Sequence, residues 1–177
     1  MQLDRKDFSF EIKAVNDDGF FSGYASVFGV VDSYGDVVAK GAFAESLAAW
    51  AGKGRLPALL WQHRMDEPIG LYTAMREDDV GLYVEGQLAL KTMRGAETYE
   101  LMKMKAISGL SIGYVTRDDS WDRVTDVRTL KKVDLWEASV VTMPANDSAR
   151  IGDVKTHGGG AAGVRHLQYL IKKIQGM

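Results

Sequence analysis

The sequence has no cysteine and only three prolines and three histidines in 177 residues. The lack of cysteine excludes disulfide frameworks, thiolate metal sites and a cysteine nucleophile. No apolar run approaches the roughly 18 residues that a membrane-spanning helix needs, and the first residues show no apolar core of a signal peptide. A net charge of −2 excludes a basic nucleic-acid-binding protein as a whole. We therefore expect neither a membrane nor a nucleic acid as partner.

Hydrophobic residues make up 46% of the chain and charged residues 26%, which is typical of one ordinary globular domain. The charge is uneven, because residues 151–177 carry a net charge of +3 and residues 1–150 a net charge of −5. Three successive glycines at 158–160 indicate a flexible hinge between these parts. We predict a domain over 1–152, a glycine-rich linker over 153–163 and a short amphipathic helix over 164–177.

Hydrophobic periodicity predicts many strands with a few interposed helices. The predicted strands lie near 8–12, 20–31, 37–38, 59–61, 68–72, 81–90, 109–115 and 133–142, with a charged hairpin or loop over 117–129. The predicted helices begin at Gly41 and at Thr92, a candidate N-cap, and near Val164. Glycine, at about 11% against an average of roughly 7%, suits sharply bent strands. The predicted fold class is a β-rich α+β domain, a single β-barrel or a strongly coiled sheet flanked by helices.

His63 is the histidine best placed for chemistry. It follows a short apolar strand, whereas His157 and His166 lie in the glycine-hinged tail. A lone histidine is more often a surface residue or a satisfied core residue. The neighbouring Asp66 and Glu67 are typical of a turn, so we predict no metal site.

Ser111 and Glu137 lie on two other predicted strands. Gly109 and Gly113 flank Ser111 on its own strand face, which leaves room for a substrate backbone, although small residues inside a barrel give the same pattern. Glu137 shares a strand face with apolar residues, where a carboxylate is costly without a partner. A barrel mouth would also explain that placement.

Together these residues form a candidate Ser-His-Glu set. Serine is a weak nucleophile at neutral pH and needs an adjacent base. His63 would accept the proton of Ser111, and Glu137 would fix the imidazole tautomer. Many globular proteins contain one of each residue type, so the set alone is weak evidence.

Five segments, in this order, resemble the prohead (capsid maturation) serine proteases of tailed bacteriophages. They are GYASVF at 23–28, KGAF at 40–43, LWQH at 60–63 followed by PIG at 68–70, SGLSIGY at 108–114 and EASVVTMPAN at 137–146. That family is distantly similar to the herpesvirus proteases called assemblins, which implies a herpesvirus-protease-like barrel. The resemblance aligns His63 as base, Ser111 as nucleophile and Glu137 where the herpesvirus enzymes have histidine.

The resemblance implies a serine endopeptidase without a cofactor that cuts capsid or scaffold proteins, and itself, during prohead maturation. Its expected partners are the major capsid protein or its scaffolding segment and other prohead proteins, and a homo-oligomer is compatible with it. The expected location is the assembling prohead in the host cytoplasm, or the cytoplasm of a bacterium that carries a prophage. Ala145 and Asn146 follow the last strand where the herpesvirus enzymes place oxyanion-stabilising arginines, so a backbone N–H or a water there is the expected oxyanion donor.

Two other classes of protein fit the same residues. One is a non-catalytic capsid-assembly or scaffold module of the same fold, in which the Ser-His-Glu set is inactive. The other is a ligand-binding β-barrel with His63 at its mouth. Reaction of a serine with a fluorophosphonate separates the endopeptidase from both.

Overall fold

A computed structural model describes residues 18–151 of the chain. The elements are β1 (Phe20–Val27), β2 (Asp36–Val38), α1 (Ala44–Gly52), β3 (Ala58–Trp61), β4 (Arg64–Glu77), β5 (Gly81–Leu88), α2 (Met93–Lys103), β6 (Gly109–Asp122) and β7 (Val127–Val141). The predicted strand near 8–12, the linker over 153–163 and the helix over 164–177 lie outside the described residues.

The seven strands form one sheet with the order β1-β5-β4-β3-β7-β2, and β6 also pairs with β7. β6 and β7 are antiparallel, whereas β3 and β2 run parallel to different parts of β7. Register shifts interrupt several pairings, among them β1 with β5 and β6 with β7. Each such irregularity bends its strand and increases the local twist, so the sheet curls into a half-barrel. The predicted β-rich fold with a strongly coiled sheet is confirmed.

The sheet and the two helices enclose the hydrophobic core. Its largest fully buried side chains include Phe21, Phe43, Leu59 and Ile69. Helix α1 is fastened to β7 twice, because Trp50 Nε1 donates to the Leu135 carbonyl at 2.8 Å and the Leu135 N–H donates to Ser46 Oγ at 2.9 Å. These bonds hold α1 against the strand that pairs with both β3 and β6.

Helix α2 begins as its sequence predicts. The Thr92 hydroxyl accepts a hydrogen bond from the Gly95 N–H at 3.2 Å, which is the usual N-cap contact. Tyr99 and Met102 are buried as expected, while Ala96 is only partly buried. Within residues 18–151, neither helix is long and apolar enough to cross a membrane.

Several strands differ in length from the prediction. The first described strand ends at Val27 rather than near 31, before a turn in which Gly29 has φ +71°. β4 extends from Arg64 to Glu77, well beyond the predicted 68–72. The charged stretch 117–129, predicted as a hairpin or a loop, is a hairpin. β6 continues to Asp122, and β7 begins at Val127.

Candidate active site

His63 lies in the tight turn between β3 and β4. Trp61 pairs with Arg64 across this turn, so Gln62 and His63 are its two central residues, with φ +50° and +60°. Positive φ at both central positions is characteristic of the two-residue hairpin turns whose twist matches the strands. The turn is anchored to β7, because the Gln62 N–H donates to the Val140 carbonyl at 3.0 Å.

Glu137 faces the core side of β7, and its side chain is 5% exposed. One carboxylate oxygen lies 2.6 Å from His63 Nδ1, and the other accepts a hydrogen bond from Ser139 Oγ at 2.5 Å. An ionised carboxylate only accepts hydrogen bonds, so this contact with an ionised Glu137 needs the imidazole proton on Nδ1 and leaves Nε2 free to accept one. Both oxygens of this buried carboxylate are therefore partnered, as its burial requires.

The negative charge of Glu137 affects a neighbouring phenol. Tyr72 is buried, and its hydroxyl donates to the Ala138 carbonyl at 3.1 Å. Burial first, and then the Glu137 carboxylate, raise the pKa of Tyr72 well above its usual value. Tyr72 therefore stays neutral beneath the site.

Gly113 leaves the space that the carboxylate occupies. It pairs with Glu137 across β6 and β7, and a Cβ built on Gly113 would lie 2.3 Å from Glu137 Oε1. Real Cβ atoms essentially never approach another heavy atom this closely. The sequence predicts room for a substrate or a barrel interior at this glycine, whereas its contact in the structure is with the acid.

Ser111 lies on β6 directly opposite Ser139 and is 9% exposed. It faces a cavity of about 460 Å³ that His63 and Glu137 also line. No direct hydrogen bond joins Ser111 Oγ to His63 in the part of the chain that the structure describes. In unliganded sites such contacts are often long and shorten when substrate binds.

Ala145 and Asn146 line the same cavity, on the loop after β7. The Asn146 side chain fixes this loop, because Nδ2 donates to the Val27 carbonyl at 3.0 Å and Oδ1 accepts from the Ser148 N–H at 3.1 Å. The Ala145 carbonyl accepts from the Ser33 N–H at 3.0 Å. The side chain of Asn146 is thus engaged within the loop, and Arg150 is likewise engaged with Asp147.

A buried aspartate that is paired with an arginine forms another part of the cavity wall. The Asp36 carboxylate accepts from Arg128 Nε at 2.8 Å and also contacts the Arg128 terminal nitrogen, and Tyr114 Oη lies 3.3 Å away. Burial, followed by the charge of Asp36, raises the pKa of Tyr114 to about 12. Asp36 and Tyr114 line the cavity, so this part of the wall is polar. The charge of Arg128 balances that of Asp36.

Ser139 and the side-chain hydrogen bonds that anchor the turn at Gln62 and His63 are not among the predictions from the sequence. Ser139 Oγ accepts a hydrogen bond from the His63 N–H at 3.0 Å, and Gln62 Nε2 donates to Thr142 Oγ1 at 2.7 Å. Strand alternation places Ser139 two positions after Glu137 and on its face, a signal that was available in the sequence. Within residues 18–151, no group of three or more His, Asp or Glu side chains is arranged to hold a metal ion.

The structure thus brings His63, Ser111, Glu137, Ala145 and Asn146 around one cavity. A serine, a histidine and a buried carboxylate that contacts the histidine are the residue set of serine hydrolases, which recurs on unrelated folds. Such a site is recognised by its geometry and not by the order of its residues in the chain.

Comparison with known proteins gives the family. The family described as caudovirus prohead serine protease matches residues 8–159, and the chain belongs to this family. The prohead protease of Enterobacteria phage HK97 is 37% identical over 150 residues, which cover 82% of this chain and 65% of that protein. The chain therefore spans just under two thirds of the length of that relative.

Comparison with solved structures gives two further matches. The capsid assembly protease gp21 of bacteriophage T4 superposes with a TM-score of 0.56 and 9% identity, covering 69% of this chain and 81% of that one. The KSHV protease in complex with a hexapeptide phosphonate inhibitor gives a TM-score of 0.48 and 10% identity, covering 75% of this chain and 63% of that one. The predicted resemblance to the prohead proteases is confirmed, and a herpesvirus protease is among the structural neighbours.

Proposed function

We propose that this chain is a serine endopeptidase that uses Ser111, His63 and Glu137 to process capsid or scaffold proteins during prohead maturation. One observation supports the triad above all others. The buried Glu137 carboxylate lies 2.6 Å from His63 Nδ1 beside the cavity that Ser111 lines. This contact leaves His63 Nε2 as the base on the side available to a nucleophile.

In the proposed reaction, Ser111 Oγ attacks the scissile carbonyl carbon while its proton passes to His63 Nε2. Glu137 stabilises the imidazolium that forms. The C–N bond then breaks as Nε2 returns the proton to the leaving amine, and an acyl-enzyme ester remains on Ser111. Water hydrolyses the ester with His63 again as base, which restores the free serine.

The oxyanion of the tetrahedral intermediate needs donors near Ser111. The Asn146 side chain is engaged with Val27 and Ser148, so we assign this role to a backbone N–H of the loop that holds Ala145 and Asn146, or to a water bound there. Hydrogen bonds tie the loop to β1 and to Ser33. Donors fixed in this way need no reorganisation during the reaction.

Family membership supports the substrate class. A prohead protease acts among the proteins of an assembling capsid, so we propose the major capsid protein or its scaffolding segment, other prohead proteins and this chain itself as substrates. The proposed location is inside the assembling prohead in the host cytoplasm. The same membership is compatible with a homo-oligomer.

A second candidate is a non-catalytic capsid-assembly module of the same fold. The missing direct hydrogen bond between Ser111 and His63 within residues 18–151 favours it, because a working dyad needs that contact during catalysis. The two candidates differ in the reactivity of Ser111 and not in the fold.

The experiment is to treat the full chain with a fluorophosphonate and map the modified residue by mass spectrometry. We expect one adduct on Ser111 that is absent from Ser111→Ala, together with self-cleavage fragments in the wild type alone. Ser108→Ala is the matched control, since Ser108 lies just before β6 and does not line the cavity. An unlabelled wild type, or label lost only in Ser108→Ala, would contradict the proposed site.

A further inference from the structure

We propose that Ser139 is a positioning residue that holds the acid and the histidine of the site in one fixed geometry. The inference rests on the proposed function, because it assigns Ser139 a role in the Ser111, His63 and Glu137 mechanism. Ser139 forms no hydrogen bond with Ser111 Oγ in the part of the chain that the structure describes. It acts through the two residues to which it is hydrogen-bonded.

The hydroxyl of Ser139 joins the two halves of the acid–base pair. Ser139 is fully buried on β7, donates to Glu137 Oε2 at 2.5 Å and accepts from the His63 N–H at 3.0 Å. A serine hydroxyl has one hydrogen to donate and lone pairs to accept with, so a single side chain meets both demands. Alanine, valine and leucine have no hydroxyl. Any of them would leave Glu137 Oε2 and the His63 N–H without this partner.

The bond to Glu137 determines which way the carboxylate points. The last torsion of a glutamate side chain is broad, so a carboxylate held by one oxygen can rotate about its axis. Ser139 holds Oε2, and this leaves Oε1 directed at His63 Nδ1 at 2.6 Å. The Ser139 contact is buried, where a hydrogen bond is stronger than in water, and the His63 contact is partly buried.

The bond to the His63 N–H stabilises an uncommon backbone conformation. His63 has φ +60° and follows Gln62 at φ +50°, and residues other than glycine rarely adopt such values. Conformations of this kind persist when surrounding contacts determine them, and they concentrate at functional sites. Ser139 supplies one such contact from the strand that carries Glu137, so the turn and the acid move as one unit.

The experiment compares Ser139→Ala with Ser46→Ala in the full chain. Ser46 is the matched control, because it is also buried and its hydroxyl also accepts a backbone N–H, that of Leu135 on β7, but it does not line the cavity. The readouts are the rate constant for fluorophosphonate labelling of Ser111 against pH, and the downfield proton NMR signal of His63 Nδ1–H. Thermal melting shows that each variant is folded at the assay temperature.

We expect Ser139→Ala to lower the labelling rate by roughly 10²-fold, the usual effect of a displacement of about 1 Å at a site. The pH dependence of its labelling rate should also differ from that of the wild type, because the acid that stabilises the imidazolium is no longer held in place. The Nδ1 proton signal should broaden or shift. Ser46→Ala should match the wild type in all three respects.

The outcomes separate the two proposals. A wild type that is not labelled at Ser111 overturns the proposed function. A labelled wild type, with Ser139→Ala unchanged in rate, pH profile and Nδ1 signal, overturns the role of Ser139 alone. An equal loss of rate in Ser46→Ala would show a general effect of removing a buried serine hydroxyl, and it would also overturn the positioning role.

Discussion

Replacing Gly113 by alanine should disable the site while leaving the fold intact. The new Cβ would lie 2.3 Å from Glu137 Oε1 and 3.0 Å from two carbons of the same side chain. Nothing at this position requires a positive φ, so the β6 backbone accepts alanine. The Glu137 side chain therefore moves, because it is the flexible partner of this contact.

The size of the effect follows from the distances. An ordinary contact begins near 3.4 Å, so the carboxylate oxygen must retreat by about 1 Å. A retreat away from the histidine would lengthen the 2.6 Å contact to His63 Nδ1 to about 3.6 Å, at which no hydrogen bond remains. A misplacement of about 1 Å costs roughly 10²-fold, and loss of the orienting acid about 10⁴-fold. We expect Gly113→Ala to fall between these limits.

The assay is the rate of fluorophosphonate labelling of Ser111, with two glycine controls. Gly52→Ala adds a Cβ at the end of α1 with nothing within 4 Å, so it should label like the wild type. Gly86→Ala places a Cβ 2.5 Å from the Phe21 ring in the core, so it should lower the melting temperature but keep the labelling rate while folded. Wild-type labelling by folded Gly113→Ala would refute the reasoning, as would an equal loss in either control.

Two more predictions concern single side chains. Glu137→Gln should fold and lose about 10⁴-fold in the labelling rate of Ser111, because an amide does not stabilise the imidazolium, and an unchanged rate would leave a Ser-His dyad. The second concerns alkaline stability: burial and the hydrogen bond to Asp78 raise the pKa of Tyr24 to about 12. Since the pKa of an unfolded tyrosine is about 10, the phenol's contribution is complete below pH 10 and is lost as the pH rises toward 12. Urea unfolding across this range should show a shallower fall for Tyr24→Phe than for the wild type, and parallel curves would contradict the assignment.

Much of the site could be anticipated because strand alternation is local. The spacing of apolar and polar residues placed Glu137 on the buried face of its strand, and it showed that small residues flank Ser111. A carboxylate on a buried face demands a partner, and His63 was the histidine outside the tail. These inferences need only the neighbours of each residue in the chain.

The contacts between strands could not be anticipated in the same way. The proximity of Gly113 to Glu137 depends on the register of β6 against β7, which shifts directly after this pair. The φ values of Gln62 and His63 are set by a hairpin that returns at once into β4, and neither residue is one that such turns usually select. The cross-strand register, and not local propensity, thus determined the contacts that were missed.

The charged hairpin is a further case of tertiary contacts overriding composition. Residues 117–129 contain many charges and predict a loop as well as a hairpin. In the structure, Arg128 pairs with the buried Asp36 on β2, and Arg117 pairs with Asp134 on the neighbouring strand. Opposite charges that face one another across strands stabilise the pairing, so the charge pattern is compatible with regular strands.

The central position of β7 has a consequence for the timing of activity during synthesis. His63 and Glu137 are 74 positions apart in the chain, and Ser111 also precedes Glu137. Ribosomes add about 5–20 residues per second from the N-terminus, so the base and the nucleophile emerge seconds before β7, which pairs with β3 and β6. On the proposed mechanism, a nascent chain therefore has no working catalytic group until β7 has entered the sheet. Synthesis of the domain is thus nearly complete before the chain can cut itself or a neighbouring protein.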